Sequence, residues 1–221
     1  ETRNSPALEF RNIKKIEEVY REILYRAMEK NEFALTQSEI SKKLNISLSI
    51  VNSVVKRLNS IGAIRIQQRG FDVLDAKKIL YLWASIRNLG KDVIFQARID
   101  APVREIERIL PDVFCTAYTE YKLRFKEVPA DYSEVYVYGD ENELKDIKKR
   151  ISDFKISSKN PEANPNFFVL KKDSSLNLYK ETPLAQIFVD LWNLKEWYAK
   201  DFIIAFENNL ENKNKILKQI K

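Results

Sequence analysis

The sequence predicts an α+β protein: a helical N-terminal domain closed by a two-stranded ribbon, followed by a mixed α/β domain. Three observations carry this. Through the first 60 or so positions apolar residues recur at three- and four-residue steps, the helical period. Between 63 and 74 the period falls to two around a Gln68-Arg69-Gly70 turn. Beyond residue 90, strand-like runs such as VIFQARI (93–99) and SEVYVY (133–138) alternate with helical stretches. The expected organisation is an N-terminal domain over 8–75, a connecting helix over 76–90 and an α+β regulatory or interaction domain over 91–221.

Ile13, Ile16, Tyr20, Ile23, Leu24, Ala27 and Met28 form one apolar stripe, which predicts a helix over about 12–30. TQSE at 36–39 opens a second helix. Thr36 can cap it, and Glu39 three residues later completes a capping box. This helix turns Ile40 and Leu44 inward and Lys42 and Lys43 outward, and ends near Asn45. Ser47 is placed to cap a third helix with Val51, Val54, Val55, Leu58 and Ile61 inward. Gly62 then occupies a position where a helix terminus takes positive φ. In the ribbon, Ile64 and Ile66 share one face and Arg65 and Gln67 the other, with Phe71 to Leu74 returning.

Helix, helix, short turn, helix and ribbon is the order of a winged helix-turn-helix. In that motif the second helix of the pair enters the major groove of DNA with its N-terminal part at the base edges. The outward positions of helix 47–61 are Ser49, Ile50, Asn52, Ser53, Lys56 and Arg57. Ser and Asn can hydrogen-bond bases or phosphates, Ile50 can meet a thymine methyl, and Lys56 and Arg57 suit the phosphate backbone. Arg65, Gln67 and Arg69 extend the surface along the wing at 63–74, with Arg69 suited to a minor groove. Thr36, Gln37, Lys42 and Ser47 complete the candidate DNA contacts.

Charge points the same way. Residues 1–90 hold 16 Lys+Arg against 10 Asp+Glu, so the net +6 of the whole chain resides there. From 36 to 70, six cationic residues face one carboxylate, Glu39. A local excess of this kind favours a polyanion, and double-stranded DNA is the expected partner. The alternative is a winged helix used for protein assembly, which the basic balance disfavours.

The segment from Thr36 to Arg69 resembles the winged-helix repressors of the MarR and related families. TQSEISKKLNIS matches their second helix, and SLSIVNSVVKRLNSIGAI matches their recognition helix and its exit into the wing. The resemblance implies a DNA-binding transcriptional regulator, a repressor.

Composition excludes several chemistries. There is no histidine, so no His-based triad, general base or metal ligand. The single cysteine, Cys115, excludes an intrachain disulfide and a Cys-cluster zinc site. The longest apolar runs, 79–86 and 202–206, are too short to span a bilayer, and no secretory leader is legible. No cofactor or metal is expected, and the expected location is cytoplasmic.

Asp75 can cap the connecting helix through AKKILYLWASIRNL to Gly90, with Ile79, Leu82, Trp83 and Ile86 on one stripe. This helix could also pair two protomers. A helix from Pro102 to about Leu110, a helix over 115–125 with Ala117, Tyr121 and Leu123 partly buried, a strand over 133–138 and a helix from Glu141 follow. The polar stretch 152–166 reads as loop, and 166–170 and 176–179 as short strands. Helices over 183–194 and 196–210 follow, and the tail frays or continues the last of them. Trp192, Trp197 and Tyr198 fit a helix-packing cluster. Tyr118, Tyr121, Tyr132, Tyr136 and Tyr138 could line a small-molecule pocket, for an effector whose identity is unknown.

The order CTAYTEYKLRF, SEVYVYG plus a helix, ETPLAQIFVDLWNL and YAKDFIIAFENNL is similar to the AbiEi type of antitoxin regulator. That resemblance implies a repressor whose second domain has a degenerate nucleotidyltransferase-like fold. The catalytic pattern of that fold needs a Gly-Ser pair and two carboxylates two residues apart on a strand. Here Asp131 and Glu134 are three apart, and VFCTAY (113–118) has no Gly-Ser. The expectation is therefore a protein that is not an enzyme. The alternatives are a magnesium-dependent nucleotidyltransferase with a nucleic-acid-binding appendage and a non-specific chromatin- or replication-associated winged helix.

Overall fold

Segments of helical period alternate with segments of strand period, and they fold as an α+β protein with two sheets. The computed structural model describes residues 6–152, 154 and 164–219, and side chains over 14–152, 154 and 164–211. Contacts divide the chain into two units: Glu1–Arg87 with Pro183–Val189, and Asn88–Thr182 with Asp190–Lys221. The sequence boundaries had assigned 183–189 to the C-terminal domain. No helix among the described residues is long and apolar enough to cross a membrane.

The first unit begins with α1 (Pro6–Glu29), a turn and a half longer at its start than its apolar stripe suggested. Val19, Tyr20, Ile23 and Leu24 are fully buried on it; the expected stripe member Ile13 lies outside the described side chains. β1 (Ala34–Leu35) follows, then α2 (Gln37–Leu44) and α3 (Leu48–Ser60). Thr36 caps α2 by accepting the Glu39 N–H at 3.2 Å. The Glu39 carboxylate lies 3.6 Å from Arg26 Nη1, so the second half of the expected capping box is not made. Asn45 ends α2 at φ 52°, a left-handed conformation that Asn tolerates.

α3 buries Val51, Val54, Val55 and Leu58, each worth about 1.5–3 kcal/mol when fully removed from water. Ile61, expected on that stripe, sits past the helix end and is exposed. Ser47 stands at the N-cap position, but its hydroxyl meets Ser49 Oγ at 3.2 Å rather than a backbone N–H. Gly62 takes φ 68° as expected. The ribbon is β2 (Ile64–Gln67) and β3 (Gly70–Val73), antiparallel with Gln67 opposite Gly70. Only Ile64 is buried on β2; Ile66, opposite the buried Phe71, is exposed on this edge strand of the sheet. β1 adds a third strand, giving the order β1-β3-β2.

α4 (Ala76–Ile86) is capped by Asp75, which accepts the Lys78 N–H at 2.9 Å. It stops at Ile86 rather than Gly90, and a 3-10 turn occupies Leu89–Asp92. Its buried residues are Ile79, Leu80, Trp83 and Ala84; Leu82 and Ile86 are only half-buried, so the inward stripe is rotated from the expected one. α4 packs on α1, where Glu17 accepts from Trp83 Nε1 at 3.3 Å and from Arg87 Nη1 at 2.8 Å.

The second unit is built on β4 (Val93–Ala97), β5 (Cys115–Thr116), β6 (Val135–Gly139) and β7 (Phe167–Lys171), in the order β4-β7-β6-β5. β6 and β7 are parallel and joined through α7 (Glu141–Ile151); the outer pairs are antiparallel. Asp140 caps α7 with a full capping box. Alternation sorts the side chains of β6. Val135 and Val137 join Ile106 of α5 (Val103–Ile109) and Ile147 and Ile151 of α7 in one core. Tyr136 and Tyr138 point to the other face, toward α6 (Ala117–Phe125) and the aromatic residues of α9 (Ala199–Gln219).

Several expectations are corrected here. The segment 115–125 is not one helix. Cys115 and Thr116 pair with β6, and Ala117 turns the chain at φ 51° before α6 starts. Ala117 and Tyr121 are fully buried, whereas Leu123 is exposed. Residues 176–179 form no strand: Ser174–Leu178 is a 3-10 turn capped by Asp173. α8 spans Leu184–Trp192. The helix after it starts at Ala199 and runs on to Gln219, so the described part of the tail continues the helix. Trp197 is 78% exposed and Trp192 45%, so only Tyr198 of that trio is buried, with the Trp197 ring edge-on to it at 5.4 Å. Most of the loop expected over 152–166 lies outside the described residues.

Candidate nucleic-acid interface

All of the candidate DNA contacts lie in the first unit, on α2, α3 and the β2–β3 hairpin with their flanking turns. α3 presents two opposite faces. Val51, Val54, Val55 and Leu58 pack inward against α1 and α2. Ser49, Ser53, Lys56, Arg57, Asn59 and Ser60 are exposed on the opposite stripe, at helical spacing. Ile50 and Asn52 flank it and are half-buried. α3 is fixed at both ends. Asn45 and a two-residue turn join it to α2, where Ser41 Oγ donates to the Ile46 carbonyl at 2.7 Å. At the other end, Asn59 Oδ1 accepts the Ile66 N–H of β2 at 3.3 Å and ties the helix to the hairpin.

The polar groups of this face differ in how committed they are. Ser53 Oγ donates back to the Ile50 carbonyl at 2.7 Å, and Gln67 Nε2 donates to Asp72 across the hairpin at 2.7 Å. A base contact by Ser53 or Gln67 must exchange those bonds. Thr36 already caps α2 and is half-buried, so its role is structural as it stands. Gln37 is half-buried beside it.

Electrostatically, α2 and α3 carry cations without counter-charges. Lys43 is neutralised by Glu22 of α1 at 2.9 Å, and Arg26 by Glu22 at 2.6 Å. Lys42, Lys56, Arg57, Arg65 and Arg69 are exposed and form no ion pair among the described residues. The Arg57 guanidinium lies near the Tyr20 hydroxyl. Burial raises the pKa of that phenol, and the guanidinium pulls it partway back. One feature was not read from the sequence: Leu48, the first residue of α3, is 53% exposed, an apolar side chain at the helix start beside Ser47 and Ser49. Its place in a polar serine run was the available signal.

The acidic residues weighed for catalysis are separate from this surface. Asp131 is exposed ahead of β6, and Glu134 accepts from Tyr198 Oη and from Ser133 Oγ. Among the described residues no group of three or more His, Cys, Asp or Glu is placed to hold a metal ion. No protein-family model matches the chain, and no curated protein or solved structure is significantly similar to it.

Proposed function

We propose that the first unit is a winged helix-turn-helix that binds double-stranded DNA, and that the chain is a transcriptional regulator acting as a repressor. The observation that carries this reading is the outward stripe of α3. It is a helix of 13 residues with one face buried, and its other face offers small polar side chains followed by Lys56 and Arg57 without carboxylate partners. Ser49 and Asn52 near the helix start supply base contacts, while Lys56, Arg57, Arg65 and Arg69 neutralise phosphates. The hairpin adds Arg69 at its turn, at a position suited to a minor groove. The second unit regulates, pairs protomers or recruits partners, and the regulator reading places the protein in the cytoplasm.

The test is an electrophoretic shift series after selection of a preferred duplex from a random pool. Lys56→Ala weakens binding to every sequence by a similar factor. Ser49→Ala and Asn52→Ala change which sequence is preferred. Equal binding by the three variants and the wild type removes this face from the account. A pool that returns no motif turns the reading into a non-specific DNA binder.

A further inference from the structure

The apolar residues of α3 divide by burial. Val51, Val54, Val55 and Leu58 are buried, Ile50 is half-buried, and Leu48, the first residue of the helix, is 53% exposed. A single exposed leucine is ordinary on a protein surface. The place of this one is not. Leu48, Asn52 and Lys56 are four residues apart, so they form one row along α3, on a flank of the outward stripe. Lys56 at the far end of the row is exposed and forms no ion pair among the described residues.

The surroundings of Leu48 suit a polyanion's groove. The first turn of α3 carries no acidic residue, so no side-chain charge there repels a phosphate. The hydroxyls on either side of the leucine, Ser47 Oγ and Ser49 Oγ, meet each other at 3.2 Å, and Ser53 Oγ donates to the Ile50 carbonyl at 2.7 Å. A helix that enters a major groove by its N-terminal part brings first-turn side chains to the base edges. An apolar side chain at that point is matched by an apolar group. Among the groups that base pairs present in the major groove, the thymine C5-methyl is the apolar one.

We infer that, given DNA binding by the first unit, Leu48 is a specificity-determining residue that packs on the C5-methyl of one thymine in the major groove. The row then reads in order: Leu48 on a base methyl, Asn52 on a base edge and Lys56 on a phosphate. Ile50, the residue the sequence offered for a methyl contact, lies on the opposite flank of the stripe and is already half-buried.

Deoxyuridine provides the test, because it pairs as thymidine does and lacks only the methyl. Each thymine of the tightest-binding duplex from the random pool is replaced in turn, and Kd is measured by fluorescence anisotropy for the full chain, as wild type and as Leu48→Ala. At one position the wild type should bind the uracil duplex about fourfold more weakly, the effect of one buried methyl. Leu48→Ala should bind the thymine and uracil duplexes equally there, which closes a double-mutant cycle. Circular dichroism of the variant should match the wild type, since the side chain is largely exposed and alanine favours helix. A wild type that binds duplex but is indifferent to every methyl overturns this inference and leaves the DNA reading standing. A methyl preference that persists unchanged in Leu48→Ala assigns the contact to another residue and overturns it too, as does loss of all duplex binding in that variant, which would make the leucine structural. A wild type that binds no duplex removes the DNA reading and this inference together.

Discussion

In the first unit the buried carboxylates take cations as partners. Glu17 holds Arg87, and Glu22 holds Arg26 and Lys43. In the second unit several carboxylates take phenols, Glu107 doing so alongside its ion pair with Lys122. Glu107 accepts from Tyr132 at 2.6 Å, Asp190 from Tyr138 at 2.5 Å, Glu127 from Tyr121 and Glu134 from Tyr198. The difference has consequences on both sides. Glu17 and Glu22 of α1 are engaged inside the unit, and Lys56, Arg57, Arg65 and Arg69 face solvent without an ion pair among the described residues. The second unit also holds part of its acidic charge with phenol donors, so that part of its internal order depends on tyrosines keeping their protons.

That dependence gives the largest expected effect. Burial, with help from neighbouring carboxylates, raises the pKa of Tyr118, Tyr132 and Tyr136 and pushes Cys115 up to about 12. A group held more tightly protonated in the folded state contributes stability below its ordinary pKa, here 9.0 for the thiol and 10.0 for the phenols. That contribution is lost as pH rises toward the folded values. Stability of the second unit should therefore fall steeply above about pH 10. In the first unit burial raises the Tyr20 pKa, and the Arg57 guanidinium pulls it partway back. Amide hydrogen exchange, corrected for its own pH dependence, should show α6 and β6 losing protection before α3. Simultaneous loss would contradict the contrast.

Backbone clearance sharpens the comparison at the next level. A Cβ on Gly70 would stand 2.3 Å from the Leu35 carbonyl oxygen, a backbone atom of the neighbouring strand. A Cβ on Gly139 would meet a side-chain methyl of Val169 at 3.0 Å, which a small rotation relieves. Gly70→Ala should cost about 3 kcal/mol and Gly139→Ala about 1 kcal/mol in urea unfolding. Equal costs would mean the first sheet yields as easily as the second.

What the sequence disclosed follows from the range of the forces involved. The α3 stripe, the end of α2 near Asn45, the positive φ at Gly62 and the Thr36 and Asp75 caps are local matters of period and capping, and they were readable. β1 was missed because two residues show no period; only pairing with β3 defines the strand. Residues 115–116 were read as helix because their apolar pattern fits one, and pairing with β6 overrode it. Ile61 was placed inward by period alone but lies past the end of α3, and Ile66, read on one face with Ile64, is exposed on the edge strand. The charge excess of the first ninety residues was visible, whereas which cations lack partners was not, because Glu22 and Lys43 meet only in the fold.

The smallest expected differences concern the helix starts. Asp140 accepts from both Asn142 and Glu143 N–H groups inside a full box, Thr36 from one N–H, and Ser47 from none. Alanine at these positions should cost about 1.5, about 1 and near 0 kcal/mol respectively in thermal or urea unfolding. A large loss at Ser47 would show that its hydroxyl supports α3 in another way.

The most direct measurement is the salt dependence of duplex DNA binding by the wild type and by Lys56→Ala. If α3 lies on DNA with Lys56 on a phosphate, the slope of log K against log salt for the variant should be shallower by about 1, and its affinity lower for every sequence. An identical slope, or a wild-type protein that binds no duplex at about 0.1 M salt, would contradict a DNA-binding role for this surface.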